Sequence, residues 1–504
     1  DETNRYPGSR SDPARMASNF AGVQGADDSR NDIVVRGNSP SGVLWRIEGI
    51  DIPNPNHFAI AGSAGGPVSI LNNKMITNSD FYTGSFPAEF GNTISGVFDI
   101  NLRNGNSYNH EFTGQFGFLG TEVMAEGPLS QKNNSSYLVM GRYSTLSIFQ
   151  AIGIKIGTDA VPTYGDGAFK FHFPLKNGGN IDWFAIGGAS DIDILISDQK
   201  EPPEGGDLYG EDDRDQYFGT AMAVSGLVYS QPLGEKTFLK ATLAGSFEQQ
   251  KADHEYVVRH INNNDEYVVD SIYDMMAYTF RQYKAMGAFH FTSKLNAQHT
   301  LKYGVNLDGI FINNRDSVIS FQTYEWTKRW DYQGFGLIVR PFVQWRYKWK
   351  EKWMFTAGLH SNYFSLPDKW SYVEPRLGLE WKMHPKHKLS YGFGLHSQQQ
   401  PTYIYSYHSY DDFGNRVYHN QALGLTKSIH NVLSYNFAIG PTLRINTEIY
   451  HQYLYDVPVE VQPSAFSVVN QGSGFQRFFP DSLQNTGTGY NYGIEMTVEK
   501  FFDK

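Results

Sequence analysis

The sequence predicts a mainly β protein: a transmembrane antiparallel β-barrel of about sixteen strands that follows a small mixed α/β domain. Three observations support this fold class. Apolar and polar residues alternate along many segments, the connections between those segments alternate in length, and aromatic residues gather beside the short connections. The chain has 504 residues, which suits two or three ordinary domains or one large barrel.

The alternation is regular in residues 239–250, 301–308 and 443–450. In each segment one set of alternate positions is mainly apolar and the other set is mainly polar. A period of two with one apolar face is the pattern of a β-strand between an apolar and a polar medium. A soluble β-sandwich would show the same alternation. The lengths of the connections between strands are therefore needed to distinguish a sandwich from a transmembrane barrel.

After residue 110, short and long connections alternate. The short ones are 128–135, 175–180, 232–236, 294–299, 350–352, 384–387 and 438–442, and the long ones are 197–217, 251–276, 314–334, 399–424 and 457–487. Short turns on one rim and long loops on the other are typical of transmembrane barrels.

Aromatic residues flank one of the short turns. Trp345, Tyr347, Trp349 and Trp353 surround 350–352, which is the pattern of an aromatic girdle at a membrane interface. The alternative is a soluble β-protein with a few exposed aromatic rings. No segment approaches the ~20 apolar residues of a membrane-spanning helix, so the sequence excludes a helical membrane protein.

Composition and motifs exclude several classes of function. A net charge of −10 gives no basic footprint for nucleic acid. The absence of cysteine removes disulfides, thiol nucleophiles and cysteine-based zinc sites. His254, Glu255 and His260 do not have the spacing of a helical zinc-protease motif, so we predict no catalytic residues and no enzyme. The hydrophilic start at Asp1 fits a mature or shortened chain, and equally a cytosolic one.

Four segments of residues 31–106 occur in the order and spacing of a known domain. They are DIVVRG at 32–37, VLWRIEGI at 43–50, SDFYTGSFPAEFG at 79–91 and GVFDI at 96–100. Together they resemble the plug of TonB-dependent outer-membrane receptors, and their wording is similar to members from the Bacteroidetes. The chain departs from the family pattern at Glu48, where Asp is usual, at Thr83 for Arg, and at Ser85 for Pro.

The resemblance implies a receptor in the outer membrane of a Gram-negative bacterium. Residues 1–106 would be the plug inside the lumen and residues 107–504 the barrel, with about sixteen of an expected 22 strands present. Both domains would then be incomplete, because the plug's first strand and the TonB box are not evident in the chain and roughly six barrel strands are missing. The implied partners are outer-membrane lipid, the TonB complex of the inner membrane and a small-molecule, peptide or glycan substrate, with a surface lipoprotein as a further candidate.

The function that this resemblance implies is import of a nutrient too large for porins, by energised displacement of the plug. A glycan, a peptide and a metal chelate are all compatible substrates. The alternative is an outer-membrane adhesin or a passive porin without TonB coupling, although a porin carries no such plug.

Candidate binding residues follow from the loops that face the outside in the family. In the plug loops they are Asn38, Ser39, Asn54, Asn56, His57 and Phe58, and in the barrel loops they are Trp326, Trp330, Tyr332, Tyr403 and Tyr405. These loops combine amide hydrogen bonding with aromatic faces. Few Lys or Arg residues lie in the plug loops, which argues mildly against a strongly anionic chelate.

Charged residues also predict how the plug contacts the barrel. Buried charges need partners, so we expect Arg36 and Asp80 to meet opposite charges in the lumen. Glu248 and Glu448 occupy lumen-facing positions and are candidate partners of Arg36.

We predict no cofactor. The acidic stretch that contains Asp207, Asp212 and Asp213 has the oxygen ligands that Ca²⁺ prefers, but a solvated loop tip is the favoured interpretation.

Overall fold

The computed structural model describes residues 8–9, 12–117, 120–145, 162–201, 211–320, 322–474, 477, 479 and 481–501. It is mainly β, with the short helices α1 (Pro13–Ala17) and α2 (Thr402–Tyr405) and 3₁₀ turns at Pro40–Gly42, Ile196–Asp198 and Val468–Asn470. In the described ranges we find no helix with the length and apolarity to cross a membrane.

The first eight strands are short. They are β1 (Val23–Gly25), β2 (Ile33–Val35), β3 (Leu44–Ile47), β4 (Ile50–Asp51), β5 (Asn56–His57), β6 (Val68–Ser69), β7 (Asp80–Tyr82) and β8 (Val97–Ile100). They form a four-stranded sheet in the order β4-β3-β8-β7 and two two-stranded sheets, β1-β2 and β5-β6.

The remaining strands are mostly long. They are β9 (Glu111–Phe116), β10 (Thr121–Ser130), β11 (Ser135–Tyr143), β12 (Thr163–Pro174), β13 (Asn180–Ile194), β14 (Arg214–Leu233), β15 (Thr237–Ile261), β16 (Tyr267–Lys294), β17 (His299–Ile319), β18 (Trp326–Trp349), β19 (Trp353–His360), β20 (Tyr363–Phe364), β21 (Lys369–Trp370), β22 (Glu374–His384), β23 (His387–Gln398), β24 (Ser409–Tyr410), β25 (Arg416–Val417), β26 (Thr426–Ala438), β27 (Leu443–Glu460) and β28 (Leu483–Lys500).

All of these strands except the β24-β25 hairpin form one barrel. Apart from the two-residue strands β20 and β21, the described part of the barrel contains sixteen strands, as the sequence predicts. Each is antiparallel to the next in the chain, from the β9-β10 pair to the β27-β28 pair. The strand order is that of a closed barrel whose seam lies between β9 and β28, although among the described residues we find no register pairs across this seam.

The side chains of β14 illustrate why these residues form barrel strands. Leu227 and Tyr229 are exposed on the outer face, while Val224 and Val228 alternate with them and are buried towards the lumen. The mainly β fold and its antiparallel barrel are therefore confirmed.

Two connections predicted as long loops are mostly strand. β15 and β16 continue as a paired ribbon to Ile261 and Tyr267, and β17 and β18 pair as far as Ile319 and Trp326. The cause is visible in the sequence, because Val- and Tyr-rich stretches such as Tyr256–Val258 favour strand.

Residues 12–106, called the interior segment below, lie within the barrel. Their side chains contact lumen-facing residues on strands from β10 to β28, as Lys74 does with Glu122 and Arg36 with Glu495. The core of the segment is apolar: the Trp45 and Phe98 rings stack with centroids 4.2 Å apart. This core continues into buried apolar side chains of β11 to β16, such as Leu138 and Phe184.

Candidate functional site

A cavity of about 1090 Å³ lies between the interior segment and the barrel wall. The interior segment contributes Phe58, Ile60 and residues 67–69 to its lining, and the barrel contributes side chains that include Tyr164 and Tyr278. The cavity reaches the rim of the long connections, where Phe479 lines it. Its size is just above the range of about 300 to 1,000 Å³ that is usual for small-molecule sites.

The wall of this cavity carries arginine side chains and aromatic rings. Among the described residues, its basic members are Arg15, Lys74, Arg142, Arg214, Arg329 and Arg477, and its acidic members are Asp12, Glu122 and Glu211. The Phe58 and Tyr164 rings meet edge to face, with centroids 6.4 Å apart. Each of these six basic groups also pairs with a carboxylate within 4.0 Å, so the wall is a set of ion pairs. A guanidinium has five N–H donors and keeps some of them free in such a pair, so the donors and the rings together suit an anionic ligand with flat groups.

Arg477 forms the upper wall of the cavity within a cage of rings. Its Cζ atom lies 4.4 to 4.9 Å from the ring centroids of Tyr278, Phe280, Trp330 and Phe479, distances at which a guanidinium is attracted to an aromatic face. Its Nη2 bonds to Asp316, whose carboxylate also pairs with Arg329 at 2.6 Å. Nε and Nη1 of Arg477 have no hydrogen-bond partner among the described residues.

A second cavity of about 510 Å³ lies on the other side of this cage. Its lining includes Lys328, Arg329, Tyr407, Tyr410 and Phe479. Since Arg329 and Phe479 line both cavities, the cage separates an outer space from the larger inner one.

His57 fixes the interior segment to the cavity wall. Its Nε2 lies 2.9 Å from Oδ2 of Asp166, which also accepts hydrogen bonds from Arg142. Burial lowers the pKa of His57 below its ordinary value, and Asp166 offsets this only in part. We therefore take His57 as neutral, with Nε2–H donating to Asp166.

The predicted plug-loop residues are mostly buried. Asn38 donates to Gln452 (2.6 Å) and accepts from Asn491 (3.0 Å), and the Ser39 hydroxyl donates to the Gln471 carbonyl. Asn54 donates to the Gly65 carbonyl at 3.0 Å and lines a separate cavity of about 240 Å³.

The predicted docking group of Asn56, His57 and Phe58 is only partly accessible. Asn56 and His57 are buried, because the β5-β6 hairpin packs against the barrel wall. Phe58 is also largely buried but lines the 1090 Å³ cavity, so it is the member of the group that a ligand in this cavity would meet.

The predicted barrel-loop aromatics are also not a free binding surface. Trp330, Tyr403 and Tyr405 are buried because the loop that carries α2 folds into the lumen, where the Trp330 indole donates to the Tyr403 carbonyl at 2.9 Å. Trp326 is exposed on the rim, while Tyr332 is half-buried against the Tyr418 ring.

The structure brings Arg36 and Glu448 together. Nη2 of Arg36 lies 2.5 Å from Glu448 and 2.8 Å from Glu495, and its Nε lies 2.8 Å from Glu495. Glu495 was missed, although it lies on the polar face of the last strand. Glu248 lies elsewhere, at the 240 Å³ cavity, since β15 and β27 are far apart in the barrel.

The expectation for Asp80 is wrong. Its side chain is exposed, and its recorded contact is a 3.5 Å hydrogen bond from the Tyr82 hydroxyl. An exposed carboxylate keeps its hydration, so it needs no cationic partner.

The acidic stretch falls partly outside the described residues, which exclude Asp207. Asp212 is exposed, and the Asp213 carboxylate accepts from Arg214 at 2.6 Å. Among the described residues no group of three or more His, Asp or Glu side chains has the arrangement to hold a metal ion.

The basic residues of the large cavity are not among the predicted site residues. The predicted binding loops of the plug contain few cations, whereas Arg142, Arg214 and Arg329 lie on barrel strands. Arg142 follows Leu138 and Met140 at a spacing of two, so the inward face of β11 was a usable signal.

Receptors and transporters are among the solved structures with the same fold. The siderophore receptor PirA from Acinetobacter baumannii matches with a TM-score of 0.64 at 14% identity, over 98% of this chain and 76% of PirA. A variant of the ferric enterobactin receptor PfeA from Pseudomonas aeruginosa matches at 0.63 and 15%, over 98% and 76%. The outer membrane transporter YddB from Escherichia coli matches at 0.66 and 12%, over 99% and 73%.

Among curated proteins, none matches this sequence. A sequence model of the family described as "TonB dependent receptor-like, beta-barrel" matches residues 149–503, which is well over half of the chain. The barrel, the segment inside it and this match lead to one conclusion: the chain belongs to the TonB-dependent receptors.

Proposed function

We propose that the chain imports an anionic metal chelate with aromatic groups, by TonB-coupled displacement of the interior segment. The observation that carries the proposal is the arginine-rich, aromatic cavity between the interior segment and the barrel wall. A ligand bound there would contact both parts at once.

Displacement is supported by the polar character of many contacts around the interior segment. Glu48 lies 3.0 Å from both Lys170 and Lys240, and Glu89 lies 2.5 Å from Lys302. Water can replace such contacts when the two surfaces separate, which is harder for an apolar interface. The apolar contacts are concentrated on the β11–β16 side.

Charge favours the metal chelate over the glycan and the peptide. The sequence-based argument against an anionic chelate rested on the plug loops, but Arg142, Arg214, Arg329 and Arg477 are supplied by the barrel. The names of two proteins with the same fold refer to a siderophore and to ferric enterobactin, which adds support of a general kind.

We also propose where the protein is located and how the chain divides into domains. Residues 1–106 act as the plug and residues 107–504 as the barrel, in the outer membrane, with the TonB complex as the energy-supplying partner and no enzymatic activity. A passive porin would need an open lumen, and the interior segment argues against one. An adhesin would bind the same ligand without transporting it.

The test is uptake of radiolabelled iron, offered as anionic ferric dihydroxybenzoate, by cells that produce the protein. We expect saturable uptake that a protonophore abolishes. The Arg329→Gln variant should raise the half-saturating concentration roughly tenfold, the effect of one lost charge-assisted hydrogen bond.

Lys328→Gln is the matched control, because Lys328 pairs with Asp331 and does not line the inner cavity. It should change uptake by less than about twofold, as exposed ion pairs contribute little. Binding without protonophore-sensitive uptake would favour the adhesin, and equal uptake of a neutral ferric trihydroxamate would contradict the anionic substrate class.

A further inference from the structure

The outer surface of the barrel carries a ladder of stacked rings near the rim of short turns. His299 and Tyr347 stack at 4.6 Å, Tyr347 and Phe355 at 6.2 Å, and Trp353 and Trp381 at 4.9 Å with only 3° between their planes. Trp353 also stacks on Phe355 at 6.2 Å, so the ladder is continuous from β17 to β22. Neighbouring Trp345 and Trp349 are 38% and 42% exposed, as expected for rings that face lipid.

Two neighbouring turns at the end of this ladder are rich in lysine. The turn between β18 and β19 carries Lys350 and Lys352, and the turn between β22 and β23 carries Lys386. Lys348 and Lys382 lie near the ends of β18 and β22, on the strand face opposite the ring ladder. All five side chains are exposed. The backbone N–H of Lys382 donates to the Lys352 carbonyl at 2.8 Å, which holds the turns side by side.

The positive charge of these turns is largely uncompensated. Glu351 is exposed in the same turn, and the Glu380 carboxylate is paired with a sixth lysine, Lys388, at 3.2 Å. Within the described ranges we find no ion pair for Lys350, Lys352 or Lys382. The Lys350 ammonium instead lies 5.2 Å above the Trp349 ring.

We propose that the two turns and the ring ladder bind an anionic glycerophospholipid from the leaflet at the short-turn rim. The lysines contact the phosphate of the headgroup, and the rings contact the glycerol and acyl region. Basic residues next to a membrane surface attract anionic lipid headgroups. The proposal depends on the barrel spanning a membrane and not on the imported substrate.

The adjoining ladder favours a lipid over a free anion. Inorganic phosphate would use the lysines alone, whereas an amphiphile would use the charged turns and the exposed rings together. An acidic soluble protein would likewise leave the lipid-facing rings unused. In transmembrane barrels the short turns lie on the periplasmic side, so the lipid belongs to the inner leaflet.

The experiment uses the full chain in a neutral detergent and native mass spectrometry to titrate dioleoyl phosphatidylglycerol against dioleoyl phosphatidylcholine. The test variant is Lys350→Gln/Lys352→Gln/Lys386→Gln, which removes the three exposed charges of the two turns. The control variant, Lys132→Gln/Lys176→Gln/Lys236→Gln, removes three exposed charges from other short turns of the same rim. Thermal unfolding of each variant checks that the fold is retained.

We expect the wild type to prefer phosphatidylglycerol and the test variant to lose at least about tenfold in affinity for it, since one basic residue near an anionic surface contributes roughly fivefold. The control variant should stay within about twofold of the wild type. The proposal is overturned if the test variant keeps its preference, if the control variant loses as much, or if inorganic phosphate at matched ionic strength displaces the lipid.

Discussion

Arg36 lies between two carboxylates of the barrel wall, with the Tyr450 ring 4.8 Å from its guanidinium carbon. Its side chain is 1% exposed, while that of Glu448 is 25% exposed. A buried cation with two hydrogen-bonded partners is a strong local constraint, because removal of one partner leaves charges without compensation.

We predict that Arg36→Ala lowers the free energy of unfolding by about 3 kcal/mol, near the lower limit for a broken buried ion pair, because Glu448 is partly hydrated. Arg36→Lys should lose less, since it keeps the charge but not the two-pronged geometry. Denaturant unfolding in detergent measures both.

A double-mutant cycle of Arg36→Ala with Glu495→Gln should show coupling of at least about 1 kcal/mol, and the cycle with Glu248→Gln below about 0.5 kcal/mol. Equal coupling in both cycles would contradict the assignment.

The alternation of side chains along a strand predicts which residues face the lumen, but not which partners they meet there. Alternation along β27 places Glu448 on the lumen side, which identified a real partner of Arg36. The same pattern places Glu248 on the lumen side too, but it says nothing about which strand faces which part of the interior segment. The buried state of Tyr403 and Tyr405 was equally beyond prediction, because it depends on a loop that folds inward.

The β5-β6 hairpin is the element that carries His57 to the cavity wall. Phe58 extends this contact, since its backbone N–H donates to the Ser190 and Thr220 hydroxyls at 3.0 and 3.1 Å. Phe58 itself has a positive φ of 55°, a conformation that a bulky residue adopts only when its surroundings enforce it.

We predict that docking of this hairpin weakens as the pH falls below 6.5, the ordinary pKa of histidine. The unfolded chain takes up a proton there, whereas docked His57, whose pKa is lower, does not; the free energy of docking therefore falls until the folded pKa is reached. Hydrogen exchange of residues 56–69, corrected for its intrinsic pH dependence, should show less protection at pH 5 than at pH 7.5.

The variant His57→Gln provides the control. Its amide can still donate to Asp166 but does not titrate, so the protection of residues 56–69 should no longer depend on this group. If the variant loses protection to the same extent as the wild type, His57 is not the cause.

The strands of the barrel were the most predictable elements. Side chains on the outer face meet an apolar medium and those on the lumen face meet a polar one. The resulting alternation can therefore be recognised within a short stretch of sequence. Strand length was less predictable: the ribbon of β15 and β16 extends through a predicted loop, because pairing between two strands can continue beyond the rim of the barrel.

At the scale of the whole molecule, the interior segment occupies the lumen and is held to the barrel by ion pairs, hydrogen bonds and one apolar side. Most of the arginine and aromatic side chains that line the cavity next to it belong to the barrel. Sequence motifs could identify the family and the segment, but the cavity forms only where residues as distant as Arg142 and Arg477 come together.

Import by displacement of the interior segment is tested most directly by a reversible tether between that segment and the barrel. A Cβ built on Gly392 would lie 3.0 Å from Cβ of Ser85, so the two backbones must move apart by about 0.5 Å to reach the 3.5–4.5 Å typical of a disulfide. The chain has no cysteine of its own, so the double variant Ser85→Cys/Gly392→Cys offers a single possible bridge between the interior segment and β23. We predict that the oxidised double variant loses uptake of ferric dihydroxybenzoate, that a reductant restores it, and that neither single variant responds. Undiminished uptake by fully cross-linked protein would contradict the account.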